Sequence, residues 1–155
     1  MTKKITITLP DGSQKQAQAG ITGLEIASMI GVGLAKAAIA FEVNGEQRDL
    51  SDAVSEDSSI SIFTIDSKEG LEIMRHTVAA QVLARAIKNL YPNAKLAIGP
   101  TIDDGFYYDF LSDKTVSIDD LPKIEKEMEK IIASNSIINK TIHSKEEAMS
   151  AFAAI

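Results

Sequence analysis

Cysteine is absent from this sequence, which excludes a disulfide scaffold, thiolate zinc sites and thiol nucleophiles. Only two histidines, His76 and His143, occur in 155 residues, too few for a metal cluster built by the chain itself. No long apolar run is present, so no segment spans a bilayer. No basic start followed by an apolar core and a small-residue cleavage site is seen either, and the expected home is the cytoplasm. An excess of positive charge is missing too: 16 Lys and Arg stand against 22 Asp and Glu, a formal net charge of −6. A module that binds nucleic acid by itself carries a basic footprint, because neutralising phosphates supplies most of its affinity. Any nucleic-acid contact made here needs help from a partner or from further sequence. What remains is an ordinary globular balance, 45% apolar and 25% charged, enough for one medium domain or two small ones.

The first 65 residues read as a small β-rich unit. Apolar residues alternate through Lys4-Ile5-Thr6-Ile7-Thr8-Leu9, the pattern of a half-buried strand. Pro10-Asp11-Gly12-Ser13 is a turn, and Gln14 to Ala17 a short returning strand. Thr22-Gly23-Leu24-Glu25 has the spacing of a capping box, with Ile26, Ala27 and Ile30 giving the following helix its apolar face. Gly31-Val32-Gly33 lacks the third glycine and the preceding strand of a dinucleotide site and reads as a helix cap followed by a turn. Ala38 to Val43 is a strand, Asn44-Gly45 a hairpin turn, and Ser59 to Ile65 a last strand. Hairpin, helix, then more strands is the order of a β-grasp fold, with one helix across a mixed sheet.

A polar link at Asp66 to Gly70 leads into a second unit. Leu71 to Leu90 is a long helix with apolar rows at Leu71, Met74, Val78 and Val82, and at Ala79, Leu83, Ala86 and Leu90; Tyr91-Pro92 ends it. Lys95 to Ile98 reads as a strand, and Phe106 to Phe110 as an aromatic strand after Asp104-Gly105. Ser117 to Asp120 caps a helix carrying Leu121, Ile124, Met128 and Ile131, its charges from Lys123 to Lys130 forming a solvated face. Ile137 to Ile142 reads as a further strand, and Ser144-Lys145-Glu146-Glu147 caps a helix that reaches only to Ile155, so truncation is expected.

Neither a P-loop nor a Ser-His-Asp set is found. His76 is either a packed histidine on the face of Ala79, Ala80, Leu83 and Ile87, or a polar group at a pocket floor that orients a water or hydroxyl. His143 reads as a surface residue. Tyr108 and Asp109 lie on an edge strand with inward aromatics, or on a pocket wall that offers hydrogen bonds to a polar ligand.

Five stretches carry a resemblance. Leu9-Pro10-Asp11-Gly12-Ser13, Gly33 to Ala37 and Val43-Asn44-Gly45-Glu46 are similar to the N-terminal TGS domain of bacterial threonyl-tRNA synthetases. Glu69 to His76 resembles that family's entry into its editing domain, and Ala97-Ile98-Gly99-Pro100-Thr101-Ile102-Asp103-Asp104-Gly105-Phe106-Tyr107-Tyr108-Asp109-Phe110 resembles a family signature. The implied fold class is α+β: a β-grasp TGS domain at 1–65, a linker at 66–72, and at 73–155 the first half of an α/β editing domain.

The family joins threonine to its tRNA with ATP and a zinc ion in a later catalytic domain, through which its members are homodimers. This chain is then expected to carry no cofactor of its own, to be inactive alone, and to bind tRNA(Thr) weakly, with Lys36, Arg75, Arg85 and Lys88 as contact candidates. Editing hydrolyses tRNA mischarged with serine, a step that selectivity requires, because one missing methyl is worth only about 1–3 kcal/mol. By resemblance His76 is a catalytic residue of editing, and Tyr108 and Asp109 are candidates for the pocket wall. The family's second histidine position falls on Ala80 counted from the left, or on Gln81 if the helix holds one extra residue absorbed as a π-bulge. The alternatives are a non-catalytic RNA- or protein-binding module built from the same parts, or a trans-editing hydrolase relative.

Overall fold

The computed structural model describes residues 3–153; the expected chain end at Ile155 lies outside them. Strands β1 (Lys4–Thr8) and β2 (Gln14–Gln18) form the first hairpin, in antiparallel register from Lys4 opposite Gln18 to Thr8 opposite Gln14. Asp11 closes its turn by accepting from the amide and hydroxyl of Ser13. After β3 (Ile21–Thr22) comes α1 (Gly23–Ile30), which Thr22 and Glu25 start with a complete capping box.

Gly31 ends α1 and at once starts a short helix α2 (Val32–Ala37), where a turn is expected from sequence. Both glycines of Gly31-Val32-Gly33 sit at a helix boundary or first turn, with no phosphate-binding strand before them. Strand β4 (Ala38–Val43) turns at Asn44-Gly45, where φ is +52° and +87°, the left-handed pair that a two-residue hairpin demands. Strands β5 (Glu46–Arg48), β6 (Ala53–Val54) and β7 (Ser58–Thr64) complete the unit.

The main sheet runs β2-β1-β7-β4-β5, with β1 parallel to β7 and the other neighbours antiparallel; β3 and β6 form a small separate ladder. Ile5, Ile7, Ile26, Phe41, Val43, Val54 and Ile60 make the core between sheet and α1.

The second unit starts earlier than its apolar pattern does. Helix α3 (Lys68–Thr77) is capped by Ser67, whose hydroxyl accepts from the Gly70 amide and donates to the Thr64 carbonyl. Lys68, Glu69 and Gly70 are therefore helical, and only Ile65, Asp66 and Ser67 separate β7 from α3. A π turn, Val78–Leu83, follows and passes into α4 (Ala84–Leu90). Helix α5 (Leu121–Ala133) follows a short turn of 3₁₀ helix, Ile118–Asp120, and α6 (Lys145–Ala151) begins at a Ser144–Glu147 capping box. Ile87, Ala94 and Ile124 form the buried cluster of this unit, joined by Leu83, Leu90, Phe110 and Met128.

The strand expected at Ile137 to Ile142 is not formed. Among the described residues its backbone finds no strand partner, and Ile137, Ile138 and Ile142 are 84%, 62% and 86% exposed. A stretch rich in β-branched residues makes a strand only where a neighbouring edge can accept it.

Glu25, Asp120 and Glu147 each accept from the backbone amide of their capping partner and then from its hydroxyl, which holds their pKa values below the ordinary carboxylate range. A carboxylate whose pKa is lower folded than unfolded stabilises the fold above its unfolded value and loses that effect as pH falls through the folded value. The unfolding temperature is therefore expected to be flat near neutrality and to fall below about pH 4.5. Thermal unfolding followed by circular dichroism across pH 7 to 3 checks this; a midpoint that rises on acidification contradicts it.

Candidate functional site

The signature stretch folds into a bulged hairpin rather than one aromatic strand. At its base β8 (Lys95–Leu96) pairs with β11 (Phe110–Leu111), and at its tip β9 (Thr101–Ile102) pairs with β10 (Gly105–Phe106) across Asp103-Asp104. Leu96 faces Phe110, yet the Asp109 amide bonds to the Ile98 carbonyl at 2.8 Å, and the Ala97 amide to the Asp109 carbonyl at 2.9 Å. Ala97 and Ile98 together oppose Asp109, so one strand holds an extra residue. Such a bulge bends a strand and re-aims its side chains.

Pro100 has no amide to donate and here only accepts, from Tyr107. Gly99 is needed for a different reason: a Cβ there would lie 2.2 Å from Cδ2 of Tyr108, whose ring rests on the bare backbone. Tyr108 is thereby fixed and half-buried, whereas the Asp109 side chain is exposed.

Helix α3 holds the tip of this hairpin. Arg75 donates from Nη1 to the Asp103 carbonyl at 2.6 Å and more weakly to that of Ile102 at 3.4 Å. Arg75 is thus engaged in the fold, as is Lys88, whose Nζ donates to the carbonyls of Pro92 and Ala94. Lys36 and Arg85, the other two basic candidates, are exposed and make no hydrogen bond or ion pair among the described residues.

The long helix departs from regular geometry between His76 and Ala84, as the arrangement with one extra residue and Gln81 at the second position requires. Across Val78–Leu83 it is π-helical, and the Ala84 amide reaches back five residues to the Ala79 carbonyl. Ala79 is completely buried and Leu83 packs on the Ile87 cluster, so the wide turn keeps both flanking stretches facing the core. His76 is exposed, which excludes its packing in the core, and Gln81 is exposed as well.

Gln81 lines a cleft of about 630 Å³. One wall is the π turn and α4, with Ala80, Gln81, Val82, Ala84, Arg85 and Lys88; Leu96 adds to it. The other is the end of α5 and the segment after it, with Ile131, Ile132, Asn135, Ser136, Ile137, Ile138 and Asn139. Its lining combines apolar side chains with three amides, one hydroxyl and two cations, of which Lys88 is already bonded to backbone carbonyls. His76, Tyr108 and Asp109 do not line it, so the structure does not gather the residues singled out from sequence into one pocket. Asn135, Ser136 and Asn139 escaped sequence reading because their neighbours read as a strand. His143 lies on the surface beside Thr141. The donor set does not fit a zinc ion: there is no thiolate, and among the described residues no three of His, Asp and Glu converge.

Comparison with known proteins assigns the class first. Residues 5–64 match the TGS domain family, so the β-grasp unit is a TGS domain in an α+β chain. The whole chain is 47% identical over 154 residues to the threonine–tRNA ligase of Rhizobium etli (strain CIAT 652), covering 99% of this chain and 23% of that protein. The threonine–tRNA ligase of Sinorhizobium fredii (strain NBRC 101917 / NGR234) is 45% identical over 154 residues, with coverage of 99% and 23%. Threonine–tRNA ligase 1 of Bacillus subtilis (strain 168) is 45% identical over 155 residues, with coverage of 100% and 24%. The chain spans about a quarter of the length of these relatives, and its similarity is to their N-terminal region. Among the described residues no helix is long and apolar enough to cross a membrane.

Proposed function

We propose that this chain acts as the tRNA-facing N-terminal region of a threonine–tRNA ligase, with the TGS unit engaging the acceptor arm of tRNA(Thr) and residues 73–155 supplying the first half of an editing domain. The observation that supports it most is the unbroken similarity to the ligases, which runs through both units. Threonylation with ATP and zinc, dimerisation and cytoplasmic residence belong in this reading to the complete ligase. Within it, Tyr108 and the exposed Asp109 form a wall on the bulged hairpin, and Arg75 ties that hairpin to the helix of His76.

Editing is impaired in this reading. Hydrolysis of a seryl ester needs a held water and a group that takes its proton. His76 offers an imidazole nitrogen for this, but the Gln81 amide is not a base and Ala80 has no polar side-chain atom. The same observation favours a second reading, in which TGS and a degenerate editing fold only dock RNA. Restored deacylation in a complete ligase carrying this region with Gln81→His would exclude that second reading.

With a net charge of −6, tRNA affinity rests on a few local cations, chiefly Lys36 and Arg85. Binding of the isolated chain to labelled tRNA(Thr), followed by fluorescence anisotropy over a salt series, should be weak and fall steeply with salt. Arg85→Ala is expected to lower the slope of log K against log salt by about one. A tight complex that survives high salt contradicts the proposal.

A further inference from the structure

The segment from Asn135 to Lys140 lies between the two units and touches a hollow on each side. Ile138 lines the cleft beside Gln81, and it also lines a groove of about 560 Å³ against the TGS domain with Ile39, Ala40, Ile73 and Met74. The segment leaves α5 at Asn135, whose φ of +46° turns the chain sharply off the helix axis. Among the described residues, the backbone from 136 to 143 makes no hydrogen bond to either unit. Beside the Ser136–Ser134 hydroxyl contact at the end of α5, one polar tie among the described residues joins it to the TGS domain: Lys140 Nζ donates to both carboxylate oxygens of Asp52, at 2.8 and 2.7 Å, across 88 positions of sequence.

Asp52 is a firm anchor. Its carboxylate also accepts from the Asp49 amide, its own amide donates to the Asp49 carbonyl, and its carbonyl accepts from the Gly23 amide that opens α1. Its side chain is 27% exposed and that of Lys140 is 45% exposed. The anchor therefore belongs to the TGS domain, and among the described residues the tethered segment has no other polar hold on it.

We propose that Asn135–Lys140 is a strap whose position over the Gln81 cleft is set by the TGS domain through the Lys140–Asp52 ion pair. With the pair made, the strap forms the cleft's outer rim. With it broken, Ile138 leaves both hollows together and the cleft opens. A shift of the Asp49–Asp52 turn is thereby felt at the cleft in the neighbouring unit. A pair this open to water biases the closed position by no more than about fivefold, enough for a device that yields to ligand binding rather than a permanent lock.

The lack of native cysteine makes a direct test clean. Spin labels on introduced cysteines at Arg85 and Ile137, on opposite walls of the cleft, report its width by pulsed electron resonance. Lys140→Ala should raise the population of long distances by up to about fivefold, and Lys140→Arg should leave the distribution near that of the parent. High salt should widen the cleft in the parent and add nothing in Lys140→Ala. Thermal unfolding of each variant confirms an intact fold. A Lys140→Ala distribution that superimposes on the parent's overturns the proposal, as does equal broadening in Lys140→Arg.

Discussion

Phe41→Ala is expected to destabilise the TGS domain by about 3–5 kcal/mol, the cost of emptying a fully buried aromatic site. Phe41 is completely buried on β4 between the sheet and α1, and it is the largest of the fully buried side chains. The site cannot collapse easily. Gly23, at the first position of α1, already rests on the ring so closely that a Cβ would lie 2.5 Å from Cδ1. A domain of about 60 residues has a total stability of roughly 3–9 kcal/mol, so most of it is removed. Urea unfolding of the variant, read by backbone NMR signals, should show the sheet residues lost first. The cluster at Ile87, Ala94 and Ile124 lies in the other unit and should persist to higher denaturant. A midpoint within experimental error of the parent would mean that the core is not organised around Phe41.

Gly70→Ala should also destabilise, although the same change in an exposed helix stabilises by about 1 kcal/mol. Gly70 lies in the first turn of α3, where a Cβ would sit 2.0 Å from the Thr64 carbonyl oxygen at the end of β7. Backbone cannot move aside as a side-chain tip can, so α3 must back away from the sheet. That loosens the Ser67 bonds to Thr64 and Gly70 and costs about 1–3 kcal/mol, as overpacking does. Thermal unfolding measures the sign directly; a higher midpoint in Gly70→Ala would show that the two units are not seated on this contact.

Local chemistry made much of this architecture legible in the sequence. The Asn44-Gly45 turn, the Thr22–Glu25 and Ser144–Glu147 capping boxes and the alternation in β1 each depend on residues a few positions apart, and each is present. The π turn was one of two arrangements open from the family resemblance, a regular helix with Ala80 at the second histidine position being the other; Val78–Leu83 forms the π turn. What was hidden depends on distant partners. Arg75 meets the Asp103 carbonyl from 28 positions away, and the bulge at Ala97-Ile98 exists only against Asp109. The β-branched stretch at Ile137 to Ile142 looked like a strand, but among the described residues no strand pairs with it. His76, Tyr108 and Asp109 were grouped by a shared resemblance, whereas the cleft is built from Gln81, Arg85 and the residues after α5.

The most direct test grafts residues 1–155 onto threonine–tRNA ligase 1 of Bacillus subtilis in place of the region it matches. Two rates are then measured on the complete enzyme, threonylation of tRNA(Thr) and deacylation of seryl-tRNA(Thr). The predicted result is threonylation within a few-fold of the parent enzyme with deacylation lower by at least about 100-fold, the scale of losing a positioned acid–base group. Deacylation should recover in part with Gln81→His. Seryl-tRNA hydrolysed as fast as by the parent ligase, or threonylation abolished in a folded graft, would contradict this account.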